Sequence, residues 1–230
     1  MTSFEFPGFE LTLPEFLAQL REIASEDWLE QHKEKYDSQC IQPCLNFIRA
    51  MAAKVAGFDP PHIAVPVLGG SLRNRKVDVA NTSGSHTSFL HLVFWGGDEA
   101  LISPSLHLIL SSGGLGFGAG QWQFNEAQLT RYHKALGNEL AVTELVHAIE
   151  NAKQGGCHLE KPQLKIVPNE LSLSGHARQL SLHTGLVVRN RNEDYDPQMF
   201  TPSCVEWVCE RLQHLVPLQK WLMQNVYEIH

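Results

Sequence analysis

The stretch SSGGLGFGAGQW, Ser111 to Trp122, decides how the middle of this chain folds. Gly114, Gly116 and Ala119 match the G-x-G-x-x-[G/A] spacing of a dinucleotide-binding turn. That motif needs a helix to begin inside the glycine run, so that the helix N-terminus meets the pyrophosphate. Here Gln121, Trp122, Gln123 and Phe124 keep an alternating pattern, and the first helix cap is Asn125. No G-K-[ST] is present for a Walker loop. The stretch therefore reads as the return strand of a hairpin. Its glycines mark a bulge, or a close approach by a neighbouring helix or a ligand.

Working outward, SLHLIL (105–110) and FLHLVFW (89–95) read as strands with period-two faces. Phe89, His91, Val93 and Trp95 share one face of the first; Leu90, Leu92 and Phe94 share the other. His107 shares a face with Ser105 and Ile109. The short link Gly96 to Pro104 requires antiparallel pairing, because a parallel pair needs a long crossover. Weaker strand signals lie at His62–Leu68, Leu72–Val79, Gln163–Val167 and Gln179–Val188. RNRNEDYDPQ (189–198) reads as a solvated turn.

Helices flank this region. Thr12 and Glu15 suggest a capping box, with Phe16, Leu17, Leu20 and Ile23 on one face. A second apolar stripe runs from Trp28 through Tyr36, Cys40, Cys44, Phe47 and Met51 to Val55, with Pro43 expected to kink or split it. Asn125 and Gln128 form a capping pair for a helix closed by Gly137. The helix after it should turn Leu140, Leu145, Val146 and Ile149 inward. Thr201 and Pro202 open a C-terminal helix carrying Val205, Val208, Leu212 and Leu215, interrupted at Pro217. The expected fold class is α+β: an antiparallel sheet, or a mixed one, in the middle of the chain with N-terminal, central and C-terminal helices packed on it. No repeat or linker divides residues 1–230, so a single domain is expected.

Composition narrows function by exclusion. The 230 residues are 43% hydrophobic and 19% charged, and the net charge of −7 disfavours nucleic acid as a partner. No run of about 18 apolar residues is present, so no membrane span is expected. MTSFEFPGFE lacks a signal-peptide pattern. Five cysteines with no C-x-x-C pair suit free thiols in a cytoplasmic protein.

Among twelve histidines none has H-x-H or H-x-x-x-H spacing with a nearby carboxylate, so no metal site is expected. No cofactor is expected either. His91 and His107 stand out, because antiparallel neighbours could carry them onto one face. Arg73, Asn74, Arg75 and Lys76, followed by Asp78, make the one dense basic run. Arginine pairs recognise carboxylate or phosphate through forked hydrogen bonds, and a charged edge strand that resists aggregation is the plainer role. Cys40 and Cys44 lie one helical turn apart with no flanking base, as buried apolar groups do. Without a G-x-S-x-G elbow, a hydrolase triad has no sequence support.

In order along nearly its whole length, the chain resembles a family of bacterial proteins of about this size, classed as a domain of unknown function. The resemblance is carried at the front by Phe16-Leu17, Trp28-Leu29, His32-Lys33-Glu34-Lys35-Tyr36 and Pro43. Further on come Leu106-His107-Leu108 and Gly118-Ala119-Gly120-Gln121-Trp122. The end supplies Pro168 and Pro217-Leu218 to Trp221-Leu222. The family is marked by R-x-x-R-D-x-R-F-x-x-x-K-x-x-Y. Aligning it on Asp78 puts its arginines on Asn74, Val77 and Ala80, its phenylalanine on Asn81, its lysine on Ser85 and its tyrosine on Ser88. Sliding by one residue recovers Arg73 and Lys76 and loses the aspartate. This chain resembles a divergent member in which the cationic cluster has largely gone.

Two functions follow as expectations. The first is a cytoplasmic, non-catalytic binding or protein-interaction domain, with no catalytic residue. The alternative is an enzyme or binder acting on a small phosphate- or carboxylate-bearing ligand. Its site would use Arg73, Arg75, Asp78, His91, His107, Gly118, Gly120 and Trp122.

Overall fold

Strands whose side chains alternate between large apolar groups and small or polar ones must bury one face and leave the other for something else. Two central strands of this protein, at 105–111 and 114–121, do so, while a third, at 89–95, also carries Phe89, Val93 and Trp95 on its second face. The computed structural model describes residues 5–23, 31–68, 71–73, 89–98, 102–167, 173, 175–190 and 193–227. Strands β1 (Leu72–Arg73), β2 (Phe89–Trp95), β3 (Ser105–Ser111), β4 (Gly114–Gln121), β5 (His158–Leu159) and β6 (Leu186–Arg189) form one sheet in the order β1-β2-β3-β4-β6-β5. Every adjacent pair of these strands is antiparallel. The fold is α+β, and the glycine stretch is β4 at its centre.

Register puts Leu90, Leu92, Phe94, Leu106, Leu108, Leu110, Leu115, Phe117, Ala119, Leu186 and Val188 on one face, where all are buried in one apolar cluster. Burying each Leu or Phe contributes on the order of 1.5–3 kcal/mol, so this face carries much of the stability. The helices are α1 (Leu13–Ile23), α2 (Lys33–Tyr36), α3 (Gln42–Ala56), α4 (Glu126–Leu136), α5 (Glu139–Gln154), α6 (Gly175–Leu180), α7 (Cys204–Gln213) and α8 (Val216–Asn225), and α1, α3, α5, α7 and α8 make the main contacts with the strands. Trp207 of α7 meets Phe117 edge-on, with ring centroids 5.7 Å apart. Trp221 of α8 donates its indole N–H to the Ala141 carbonyl at 2.8 Å, tying α8 to α5. None of the helices among the described residues is long and apolar enough to cross a membrane.

The expected break at Pro43 takes a specific form. Between α2 and α3 the helix continues through a π turn, Asp37–Ile41, immediately before the proline. A proline ring crowds the carbonyl four residues earlier, and a wider turn relieves that contact. The capping pair of α4 is complete: Gln128 N–H donates to Asn125 Oδ1 at 2.8 Å, and Asn125 N–H to Gln128 Oε1 at 3.0 Å. Gln121 Nε2 also donates to Gln128 Oε1 at 2.6 Å, which locks the end of β4 to the start of α4.

Several expectations need correction. Leu140 is 68% exposed, because the inward stripe of α5 is Ala141, Leu145, Ala148 and Ala152; small residues there let α8 come close. Gln163–Val167 is not a strand; the extended pairing belongs to His158–Leu159. Gln179 and Leu180 end α6, and the strand begins only at Leu186. His62–Leu68 contributes only isolated bridges, Ile63 to Trp95 and Leu68 to Leu72. The segment expected to be a solvated turn lies against the sheet: Glu193 bridges to Leu115, and the Tyr195 hydroxyl donates to the Ser111 carbonyl at 3.0 Å. Beyond Arg73, the strand expected to run to Val79 lies outside the described residues, as does Trp28 at the head of the second apolar stripe.

Candidate functional site

The second face of the sheet carries different chemistry. In register across β2 and β3 stand Phe89, His91, Val93 and Trp95 against Ser111, Ile109, His107 and Ser105. Across β3 and β4, Ser105, His107 and Ile109 stand against Gly120, Gly118 and Gly116. Arg189 of β6 pairs with Gly118 and, on its other side, with His158 of β5. His107, Gly118, Arg189 and His158 thus form one row over four strands.

The four glycines of β4 answer to neighbouring backbone and side chains. A Cβ on Gly120 would lie 1.9 Å from the Leu186 carbonyl oxygen, and one on Gly114 would lie 2.1 Å from that of Glu193. Both have positive φ, +132° and +120°, which favours glycine. A Cβ on Gly116 would meet the Ile109 side chain at 3.3 Å, and one on Gly118 the Val188 carbonyl oxygen at 3.1 Å. The close approach foreseen for this strand is made by its sheet partners, not by a helix.

His91 Nε2 and His107 Nδ1 lie 2.9 Å apart, and His107 Nε2 lies 3.2 Å from Ser105 Oγ. A neutral chain works in either direction. His91 can donate to His107, which donates to Ser105, or the Ser105 hydroxyl can donate to His107, which donates to His91. One added proton is also accommodated: a His107 imidazolium donates to both partners. A second would set two N–H groups against each other. The pair can therefore take up a single positive charge without losing either hydrogen bond.

Across Gly118, the Arg189 Nε donates to Glu160 in an ion pair. No protein partner for its two terminal nitrogens is found among the described residues. Its guanidinium lies over the Trp122 ring, 5.6 Å from the centroid. Trp122 follows Gly120 by two residues and is 65% exposed.

Of the residues singled out from sequence, the structure brings His91, His107, Gly118, Gly120 and Trp122 to one face. The backbone of Arg73 pairs with His91 at the sheet edge. Arg75 and Asp78 lie outside the described residues. Arg189, Glu160 and Ser105 were not foreseen as site residues. Ser105 was legible, since it precedes His107 by two residues on the same strand. Arg189 was not, because its strand joins β4 from about 70 residues further along the chain.

Other chemistry on the molecule is weaker. All five cysteines are free and buried. Burial pushes the Cys40 and Cys204 thiols up to about 12 and Cys157 up to about 11, away from nucleophile or ligand behaviour. A shallow cleft of about 440 Å3, lined by Arg131, Lys134, Asn138, Gln224 and Asn225, opens where α4, α5 and α8 meet. There Arg131 Nε is already committed to the Val226 carbonyl at 2.8 Å.

A family model described as conserved hypothetical protein (DUF2461) matches residues 12–221. No curated protein matches the chain, and no solved structure does.

Proposed function

We propose, for a chain that belongs to the DUF2461 family of conserved hypothetical proteins, that it is a binding domain for a small ligand bearing a phosphate or carboxylate, held on the glycine face of the central sheet. One observation carries the reading: His107, hydrogen-bonded to His91, faces Arg189 across a residue with no side chain. An anion set over Gly118 would be met by an oriented guanidinium on one side and on the other by an imidazole pair able to accept one proton. Glu160 offsets part of the arginine's charge, yet it also fixes Nε and leaves the terminal fork for the ligand. The geometry supports binding and assigns no bond-breaking step. A cytoplasmic setting belongs to the same proposal, since five unpaired thiols suit reducing conditions.

Titration of the labelled protein with inorganic phosphate and with acetate, followed by NMR, tests this. Saturable shifts should centre on His91, His107 and Arg189, and Arg189→Ala with His107→Ala should abolish them. Shifts confined to the Arg131–Lys134 cleft, or none at all, would overturn the reading. A partner protein that binds in defined stoichiometry and ignores those two substitutions would favour a protein-interaction domain instead.

A further inference from the structure

We infer that the ligand of this face carries a planar ring beside its anionic group, and that Trp122 is the platform on which the ring stacks. The inference rests on the anion-binding reading above and specifies its ligand class. Three observations meet here. Trp122 continues the alternation of Gly116, Gly118 and Gly120 onto their face, and its contact with Arg189 of that face settles the side. Trp95 and Trp221 are buried, at 6% and 2% exposure, whereas Trp122 keeps 65% of its surface in water. An indole left so open gives up a large apolar contribution, unless a second flat group covers it in the working state.

The third observation is Arg189 itself. Its Nε is held by Glu160, its guanidinium covers part of the Trp122 ring, and its backbone faces Gly118 in the row that holds His107. One arginine therefore joins the two halves of the site: the row that holds His107 and the aromatic platform. The Arg189 guanidinium lies 5.6 Å from the Trp122 ring centroid, so an anion on its terminal nitrogens sits within a short spacer of the indole. A phosphate or carboxylate joined to a ring through a sugar or a short chain fits that spacing, whereas a bare anion leaves Trp122 unused. Nucleoside monophosphates and arylalkanoic acids are the two sources of this chemistry.

The test compares matched probes on the full chain. Adenosine monophosphate is set against ribose 5-phosphate, and phenylpropionate against propionate. Binding is read by NMR at His91 and His107 and by quenching of tryptophan fluorescence, with Trp122→Phe assigning the quenched indole. The ring-bearing member of at least one pair should bind about 10-fold more tightly, in line with the usual strength of a single base–aromatic stack. The pair that shows the preference identifies phosphate or carboxylate as the anion. Trp122→Ala should erase the preference, so that each ring-bearing probe binds no more tightly than its ringless partner, and Trp122→Phe should keep most of it. An unchanged melting profile for Trp122→Ala excludes misfolding as the cause. Equal affinity within both pairs, with the histidines still responding, would overturn the ring inference and leave the anion site standing. No histidine response to any probe would remove both.

Discussion

The two faces of the central sheet are made by alternate residues of the same strands, and they behave as different materials. On the core face Leu106, Leu108 and Leu110 meet Ala119, Phe117 and Leu115, all buried beneath helices. One residue away, Ser105, His107 and Ile109 meet three glycines, and the polar groups there are hydrogen-bonded to one another. Neighbouring positions in sequence should therefore answer to different measurements: core-face residues to stability, glycine-face residues to ligand.

The largest expected contrast is between adjacent residues of β3. Leu108→Ala should destabilise the fold by about 2–5 kcal/mol in chemical denaturation, as large-to-small changes in a packed core do. His107→Ala should cost about 1–2 kcal/mol, for its hydrogen bonds to His91 and Ser105, while removing the response to anions. Equal losses of stability would mean that the glycine face is a second core.

Gly120→Ala probes where that division fails. The residue lies on the glycine face, yet its φ of +132° and the Leu186 carbonyl oxygen in the Cβ position tie it to β6. A loss of at least ~3 kcal/mol is expected, from backbone strain and a backbone clash together. Gly175→Ala, at φ +55° with nothing within 4 Å of the new Cβ, supplies the control and should cost about 1 kcal/mol. A Gly120→Ala protein as stable as the control would show that β6 can shift away.

A third contrast separates histidines by burial. His62 is buried, with Nδ1 2.8 Å from the Pro60 carbonyl oxygen, and burial lowers its pKa to about 4. The folded value lies below the unfolded one, so protonation favours the unfolded chain. The stability it contributes is present above about pH 6.5 and is lost as pH falls toward 4, by roughly 3 kcal/mol at the limit. His62→Gln should flatten that part of the stability profile between pH 7 and 4.5. Part of the slope should persist, because burial also lowers His133 and His183. A profile unchanged by the substitution would assign the acid sensitivity to those two.

Much of this architecture was legible before any coordinates. The alternation in FLHLVFW and SLHLIL assigned both faces of β2 and β3, including the shared face of Ser105, His107 and Ile109. The late cap at Asn125 ruled out a phosphate-binding turn, and the capping pair appears as expected. Val205, Val208, Leu212 and Leu215 are buried as their spacing required. Errors arose where local pattern was overruled by packing. Leu140 belongs to an apolar series, but the stripe that α8 needs is the one with small residues. Glu193 and Tyr195 look like turn residues and are recruited by the edge of the hairpin.

The sequence by itself determined that β4 is a strand and that His91 and His107 could share a face, because a period of two is a property of each segment alone. It could not say what lies on the far side of the glycines. Pairing of β4 with β6 is a non-local choice, made when two apolar faces are buried together, and no local spacing encodes it. That choice put Arg189 opposite His107 and over Trp122, the arrangement on which the proposed anion and ring contacts rest.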